Sequence, residues 1–260
     1  MKDHNMIPVV LAGATGKTGR AVGQAIHQAT DMKLLGALSS RYAGVDLGSI
    51  WGENSLHLPL VRNLQDIQES YAVLVDFTEP QSALQRILQA IDWHWDLVVG
   101  TTGFSRDGFE LLSKRVEQAG VGAAVIANFS LGAWVAQRLA QEASRYFSAV
   151  EVIEGHHPTK RDRPSGTARA MTEILGASLG RPTDTIPVHS LRLPGMVAHQ
   201  AVVFGSPGQM LTIRHDVHDR SAYVDGVLAA IRRVHQVDGL ITDLGEVLQV
   251  HADPPNQASH

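Results

Sequence analysis

The chain is predicted to be an α/β protein, a Rossmann-type doubly wound parallel sheet followed by a second, strand-rich α+β domain. Three observations carry this. From Ile7 to Ile126, short apolar runs alternate with amphipathic stretches of helical period, which is the pattern of repeated βα units. The first apolar run leads straight into Gly13-x-x-Gly16-x-x-Gly19. Beyond Val188 the alternation gives way to three strand candidates separated only by turns.

Ile7 to Ala12 reads as a buried parallel strand, and the stretch after the glycines places Ala21, Val22, Ala25 and Ile26 on one helical face. Strand, glycine turn and helix together make Gly13, Ala14, Thr15, Gly16, Lys17 and Thr18 a dinucleotide-binding candidate. Glycines let the backbone approach a pyrophosphate at a helix N-terminus. A Walker A loop fails, because its first glycine would have to stand where Leu11 is. The next strand, Leu34 to Leu38, ends at Ser39, Ser40 and Arg41. A carboxylate for a ribose 2′-hydroxyl is missing there, and a guanidinium with two hydroxyls suits a 2′-phosphate, so NADPH is expected over NADH.

The alternation continues through strand Ala72 to Phe77, a helix opening near Pro80, strand Leu97 to Val99, a helix from Arg106 to Gln118 and strand Gly122 to Ile126. Ligands in such sheets sit at the carboxyl ends of strands. Phe77 and Thr78, Gly100, Thr101 and Thr102, and Asn128 and Phe129 occupy those ends. A long helix is expected from Leu131 to Phe147, with Leu131, Trp134, Val135, Leu139 and Tyr146 as its packing face.

The residues from Ala149 to Leu179 read as strand, loop and helix. Pro164 suits a first helical position, leaving the N–H groups of Ser165, Gly166 and Thr167 to cradle an anion. His156, His157 and Lys160 just upstream can carry protons. Strands then follow at Val188 to Leu193, Ala198 to Phe204 and Gln209 to Val217, with Pro194-Gly195 and Pro207-Gly208 read as hairpin turns. A last amphipathic helix, Ala222 to Val237, is expected to return to the first domain, and Asp253 to His260 to fray. The expected divisions are 1–127 for the dinucleotide domain, 128–220 for a substrate and assembly domain, and 221–260 for the returning C-terminal region.

Glu154-Gly-His-His-Pro-Thr-Lys-Arg-Asp-Arg-Pro-Ser-Gly-Thr-Ala168 meets in full the pattern Glu-x-His-His-x-x-Lys-x-Asp-x-Pro-Ser-Gly-Thr-Ala. It resembles the signature of the dihydrodipicolinate (4-hydroxy-tetrahydrodipicolinate) reductases, nicotinamide-dependent enzymes of diaminopimelate and lysine biosynthesis. Arg192-Leu-Pro-Gly195, His199, Ile213 to Asp216, Arg220 and Tyr223 also look like family segments, whereas Ala133-Trp134 departs from the usual Val-Asn. The resemblance implies a cyclic imine substrate with two carboxylates. It assigns His156 as general acid/base and Lys160 as cationic proton donor, and it gives His157, Ser165, Gly166, Thr167 and Thr102 the grip on a carboxylate. Glu154 and Asp162 would orient the loop. A homotetramer built on the second domains is implied too, and members with an acid near Arg41 accept both cofactors.

Composition agrees with a small-molecule enzyme. The 260 residues are 44% hydrophobic with a formal net charge of −4, giving no reason to expect nucleic acid or an anionic membrane as partner. Cysteine is absent, which removes disulfides and thiolate chemistry. The early first strand leaves no room for a signal peptide, so a cytoplasmic location is expected. A zinc site at His156 and His157 is disfavoured, because adjacent residues of an extended segment point apart and His-Glu-x-x-His is absent. Ser165 lacks a Gly-x-Ser-x-Gly elbow. His189, His199, His215, His218 and His235 are read as structural or surface histidines. Two rival readings are a nicotinamide-binding sensor without turnover and a related two-domain amino-acid dehydrogenase.

Overall fold

The computed structural model describes residues 6–249, so the terminal residues expected to fray lie outside the described part. In chain order the elements begin with β1 (Ile7–Ala12), α1 (Lys17–Gln28), β2 (Met32–Leu38), α2 (Leu47–Trp51), β3 (Val73–Asp76) and α3 (Pro80–Asp92). They continue with β4 (Asp96–Val99), α4 (Arg106–Ala119), β5 (Gly122–Val125), α5 (Leu131–Ala143), β6 (Ala149–His156) and α6 (Gly166–Leu179). The last are β7 (Val188–Arg192), β8 (Ala198–Ser206), β9 (Gln209–Val217), α7 (Val224–Val234), β10 (Gly239–Ile241) and α8 (Leu244–Val247). The chain divides into two compact units, residues 6–129 with 223–249 and residues 130–222. Asn128 and Phe129 therefore stay with the first unit, two residues beyond the expected division, where the Phe129 ring meets Phe77 at 5.9 Å between centroids.

The first unit carries a six-stranded sheet in the order β10-β5-β4-β3-β1-β2, parallel throughout. Its central strands β3 and β4 are buried at every position, as strands covered on both faces must be. The chain steps one way from β1 to β2 and then crosses back to β3 on the other side of β1, so the order reverses beside β1, the switch point where such sheets bind ligands. α1 turns Val22 and Ile26 inward, two of the four residues expected on its packing face. Three short elements, α2, β10 and α8, were not expected. β10 has only three residues and exists as a strand by pairing with β5.

The second unit has a mixed sheet in the order β7-β6-β8-β9. β6 runs parallel to β7 and antiparallel to β8, and β8 and β9 form a hairpin. Pro207-Gly208 makes that turn, Gly208 taking the positive φ of 81° that favours glycine. Pro194-Gly195 does not make one, because β6 lies between β7 and β8, and the link between them passes the end of β6, where Leu193 N–H donates to His156 O at 3.1 Å. The core lies between the sheet and α5 and α6, with Val150, Val152, Val202, Phe204, Met171 and Leu175 at its centre.

α5 reverses expectation. Ala133, Ala140 and Ala143 are its buried residues, while Val135, Leu139 and Tyr146 are exposed. The inner face is made of small side chains, Ala140 and Ala143 packing in the core against the sheet and α6.

Candidate active site

In the first unit the chain narrows to backbone at the end of β1. Gly13 has φ +89°, and a Cβ there would stand 2.5 Å from Phe77 O. Gly19 lies so close that its Cβ would be 2.0 Å from Gly13 O, which seats α1 tightly against the turn. α1 starts after Gly16 with no side-chain cap and no acidic residue in its first turn. Its first N–H groups and the positive end of its dipole are thus left for an anion, with Thr15 and Lys17 exposed beside them. The turn is braced from behind by a residue that sequence reading missed. The buried Trp51 indole N–H donates to Ala14 O at 3.0 Å, and Trp51 O accepts from Arg20. Ser39, Ser40 and Arg41 lie after β2, with Ser40 and Arg41 exposed and the Arg41 guanidinium 5.2 Å from the Tyr42 ring centre.

The ends of β3 and β4 are locked together by Asp76, fully buried. Its Oδ1 accepts from Thr78 N at 2.9 Å, Thr78 Oγ1 at 2.6 Å and Thr101 Oγ1 at 2.9 Å, and its Oδ2 pairs with Arg86. The sequence places Asp76 at a strand end beside Phe77 and Thr78, but does not show its part in joining β3 to the residues after β4. The Phe77 ring lies flush against Gly100, where a Cβ would come within 2.1 Å. A cavity of about 400 Å³ opens beside Thr101, Thr102, Phe104, Ile126 and Ala127.

In the second unit the signature forms one charged cluster. The buried residues of β6 alternate Val150, Val152, Glu154, His156, so the polar pair occupies the end of an apolar row. His156 Nδ1 is 2.6 Å from Glu154 Oε2, and Arg192 of β7 grips the same carboxylate at 2.8 and 2.9 Å. Burial works to raise the Glu154 pKa, but hydrogen bonds from Arg192, Ser190 and His156 hold it below the ordinary value. Burial pushes His156 below its usual value, helped by the charges of Lys160 and Arg192 and opposed by Glu154. Neutral His156 then carries its proton on Nδ1, toward Glu154, and presents Nε2 as an acceptor.

Lys160 Nζ pairs with Asp162 Oδ1 at 2.9 Å, and the ammonium holds the Asp162 carboxyl below its usual range. His157 Nδ1 meets Thr159 Oγ1 at 2.8 Å instead of joining His156. Pro164 is not a first helical residue. Ser165 is the N-cap, its Oγ accepting from Ala168 N at 3.2 Å, so α6 begins at Gly166 and the proline stands before the cap. Ser165 is buried and its hydroxyl serves the helix, leaving the Gly166 and Thr167 N–H groups as the outward part of the cradle. The second unit thus gathers His156, His157, Lys160, Ser165, Gly166 and Thr167, while Thr102 and the nucleotide-type residues belong to the first. His189, His199, His215 and His235 each have a polar partner, Glu151, Asp216, Ser130 and Tyr71 respectively.

Comparison with known proteins matches residues 7–129 to the N-terminal domain of dihydrodipicolinate reductase and residues 132–248 to its C-terminal domain. The 4-hydroxy-tetrahydrodipicolinate reductase of Rippkaea orientalis is 40% identical over 95% of this chain and 100% of its own. That of Synechocystis is 39% identical over the same shares. Among solved structures, the dipicolinate-bound dihydrodipicolinate reductase of Paenisporosarcina sp. TG-14 superposes with a TM-score of 0.78 at 31% identity, covering 93% of this chain and 99% of that one. An amine dehydrogenase of Mycobacterium smegmatis, TM-score 0.65 at 13% identity over 93% of this chain and 96% of its own, shares the fold. With both domains matched in order and relatives about 40% identical over nearly the whole chain, the protein belongs to the dihydrodipicolinate reductase family of nicotinamide-dependent oxidoreductases.

Proposed function

We propose that this chain reduces 4-hydroxy-tetrahydrodipicolinate to tetrahydrodipicolinate, with NADPH preferred over NADH, in cytoplasmic diaminopimelate and lysine biosynthesis. The single observation that supports the chemistry most is the cluster of Glu154, His156, Lys160 and Arg192 beside the N-terminus of α6. The first unit's glycine turn fits a dinucleotide, since Gly13 has no room for a side chain and α1 has no cap of its own. Gly13 to Thr18 would hold the pyrophosphate, and Ser39, Ser40 and Arg41 the 2′-phosphate. Phe77, Thr78, Gly100, Thr101, Thr102, Asn128 and Phe129 would line the rest. The bound cofactor supplies a hydride.

The chain's own residues manage the charge and the protons. His157 and Thr167, with the N–H groups at the start of α6, bind a substrate carboxylate, and Thr102 is the candidate for one on the first unit. Those carboxylates reverse the electrostatic balance at His156, because nearby negative charge favours the imidazolium. Nε2 of His156 therefore takes up a proton when the dianion arrives and can deliver it. Lys160 places an ammonium where negative charge develops on the ring nitrogen, and Asp162 keeps that ammonium in place. Glu154 stays ionised and stabilises the imidazolium from the other side.

A homotetramer fits the second unit, whose sheet exposes Ile153, Leu191 and Met210 and ends in the open edges β7 and β9. Light scattering should give four chains at micromolar concentration. The deciding assay is NADPH oxidation with the freshly made condensation product of aspartate semialdehyde and pyruvate. Rapid consumption is expected. NADPH binding without consumption would replace this reading with the sensor.

A further inference from the structure

β7 and β6 are paired in register so that Arg192 stands opposite His156, a neighbourhood that their separation in sequence does not suggest. The Arg192 side chain is only 3% exposed. Its Nη1 donates to Glu154 Oε2 at 2.9 Å, the same oxygen that meets His156 Nδ1 at 2.6 Å. Its Nη2 donates to Glu154 Oε1 at 2.8 Å and, beyond the carboxylate, to Asp162 O at 2.7 Å. Asp162 is the residue whose side chain holds Lys160 at 2.9 Å.

A buried carboxylate requires a partner, and a two-toothed guanidinium contact satisfies that need completely. The bond to the Asp162 carbonyl is not needed for that purpose. It joins the support of the imidazole to the backbone of the loop that carries the ammonium.

We propose that Arg192 is a positioning residue for both proton-handling groups: it holds Glu154 so that His156 keeps its proton on Nδ1 and offers Nε2, and it anchors the 157–164 loop so that Lys160 stays beside His156. This rests on the reading of His156 and Lys160 given above. A lysine cannot replace Arg192, because one ammonium cannot span both carboxylate oxygens and the carbonyl in fixed geometry.

The charged groups around His156 make the consequence definite. Glu154 lies on its own strand, Arg192 on β7, and Lys160 with Asp162 on the loop, while Arg169 of α6 reaches Asp162 at 3.9 Å; β8 contributes only Ala198 opposite. Arg192→Met removes a positive charge and should move the His156 titration to higher pH. Glu154→Gln removes a negative one and should move it lower. Arg192→Lys keeps the charge, so the titration should stay near that of the parent while the loop loosens and KM for the substrate rises about ten-fold.

The test is nitrogen-15 histidine NMR of the intact chain without substrate, with the His156 signal assigned by its loss in His156→Gln, alongside steady-state kinetics. The parent should show the Nδ1–H tautomer at neutral pH and a midpoint below the ordinary value of about 6.5. Opposite displacements in Arg192→Met and Glu154→Gln, with a rise in KM for Arg192→Lys, would support the proposal. A parent imidazole protonated on Nε2, or a midpoint unmoved by Arg192→Met and Glu154→Gln even if turnover falls, would overturn it. Should Arg192→Met fail to fold, Arg192→Lys and Glu154→Gln decide the question. The NMR readings stand whether or not the parent turns over the proposed substrate, so failure of that reading is seen separately.

Discussion

The molecule uses strand, loop and helix twice, each time where we propose an anion site, and it builds the two in opposite materials. Between β1 and α1 the loop is nearly all backbone, with glycines where a Cβ would strike a carbonyl and a helix start that has neither cap nor acid. Between β6 and α6 the helix is capped by Ser165, and the loop carries Lys160 and Asp162 against the Glu154, His156 and Arg192 cluster. The difference fits the work proposed for each. A pyrophosphate that is only held needs fixed N–H dipoles at close approach, whereas a ring that gains charge and protons needs groups that titrate. Backbone cannot titrate, and ionisable side chains at Gly13 have no room.

The comparison breaks most sharply at His156. His156→Ala should lower kcat by about 10²–10⁴ with KM little changed, and leave NADPH affinity intact by fluorescence titration. Near-normal kcat under conditions where hydride transfer limits the rate would reduce the charged loop to a binding element. Gly13→Ala is the converse experiment. The new Cβ meets Phe77 O at 2.5 Å in a backbone with φ +89°, and strain of about 1–3 kcal/mol should weaken the cofactor about ten- to a hundred-fold. The titration of His156 should not move, and a shift in it would show that the two sites are not separable.

Arg41→Ala asks whether any side chain matters in the backbone-built site. Losing a charge-assisted contact to phosphate costs about 1.5–3 kcal/mol, so NADPH should weaken about ten- to a hundred-fold and NADH hardly at all. Equal losses for both would remove Arg41 from cofactor choice. The smallest effect concerns stability. Because His156 binds its proton more weakly in the folded chain than in the unfolded one, folding is favoured above the unfolded midpoint of about 6.5 and weakens as pH falls through it. Thermal melts between pH 5 and 8 should show that slope, and His156→Gln should reduce it, leaving the part due to His215, whose burial lowers its pKa in the same direction. A parent and variant with parallel profiles would mean that His156 is not the titrating group.

Much was determined by the sequence alone. Alternation of apolar runs identifies the parallel sheet, because strands buried on both faces are apolar over most of their length, and the glycine spacing locates the close approach at the end of β1. The run from Glu154 to Thr167 marks a charged cluster before a helix start, since those residues are local in sequence and gather locally. Tertiary structure alone decided the rest. Trp51 bracing Ala14 and Arg86 closing on Asp76 are partnerships made by helix packing, and Arg192 reaching Glu154 and Asp162 by strand register, neither of which periodicity encodes. The same holds for α5, where a pattern of large apolar residues suggested one face and the alanine face of Ala133, Ala140 and Ala143 is the one buried. Side-chain spacing says which residues share a face, but the space left by neighbouring elements chooses the face that can be buried.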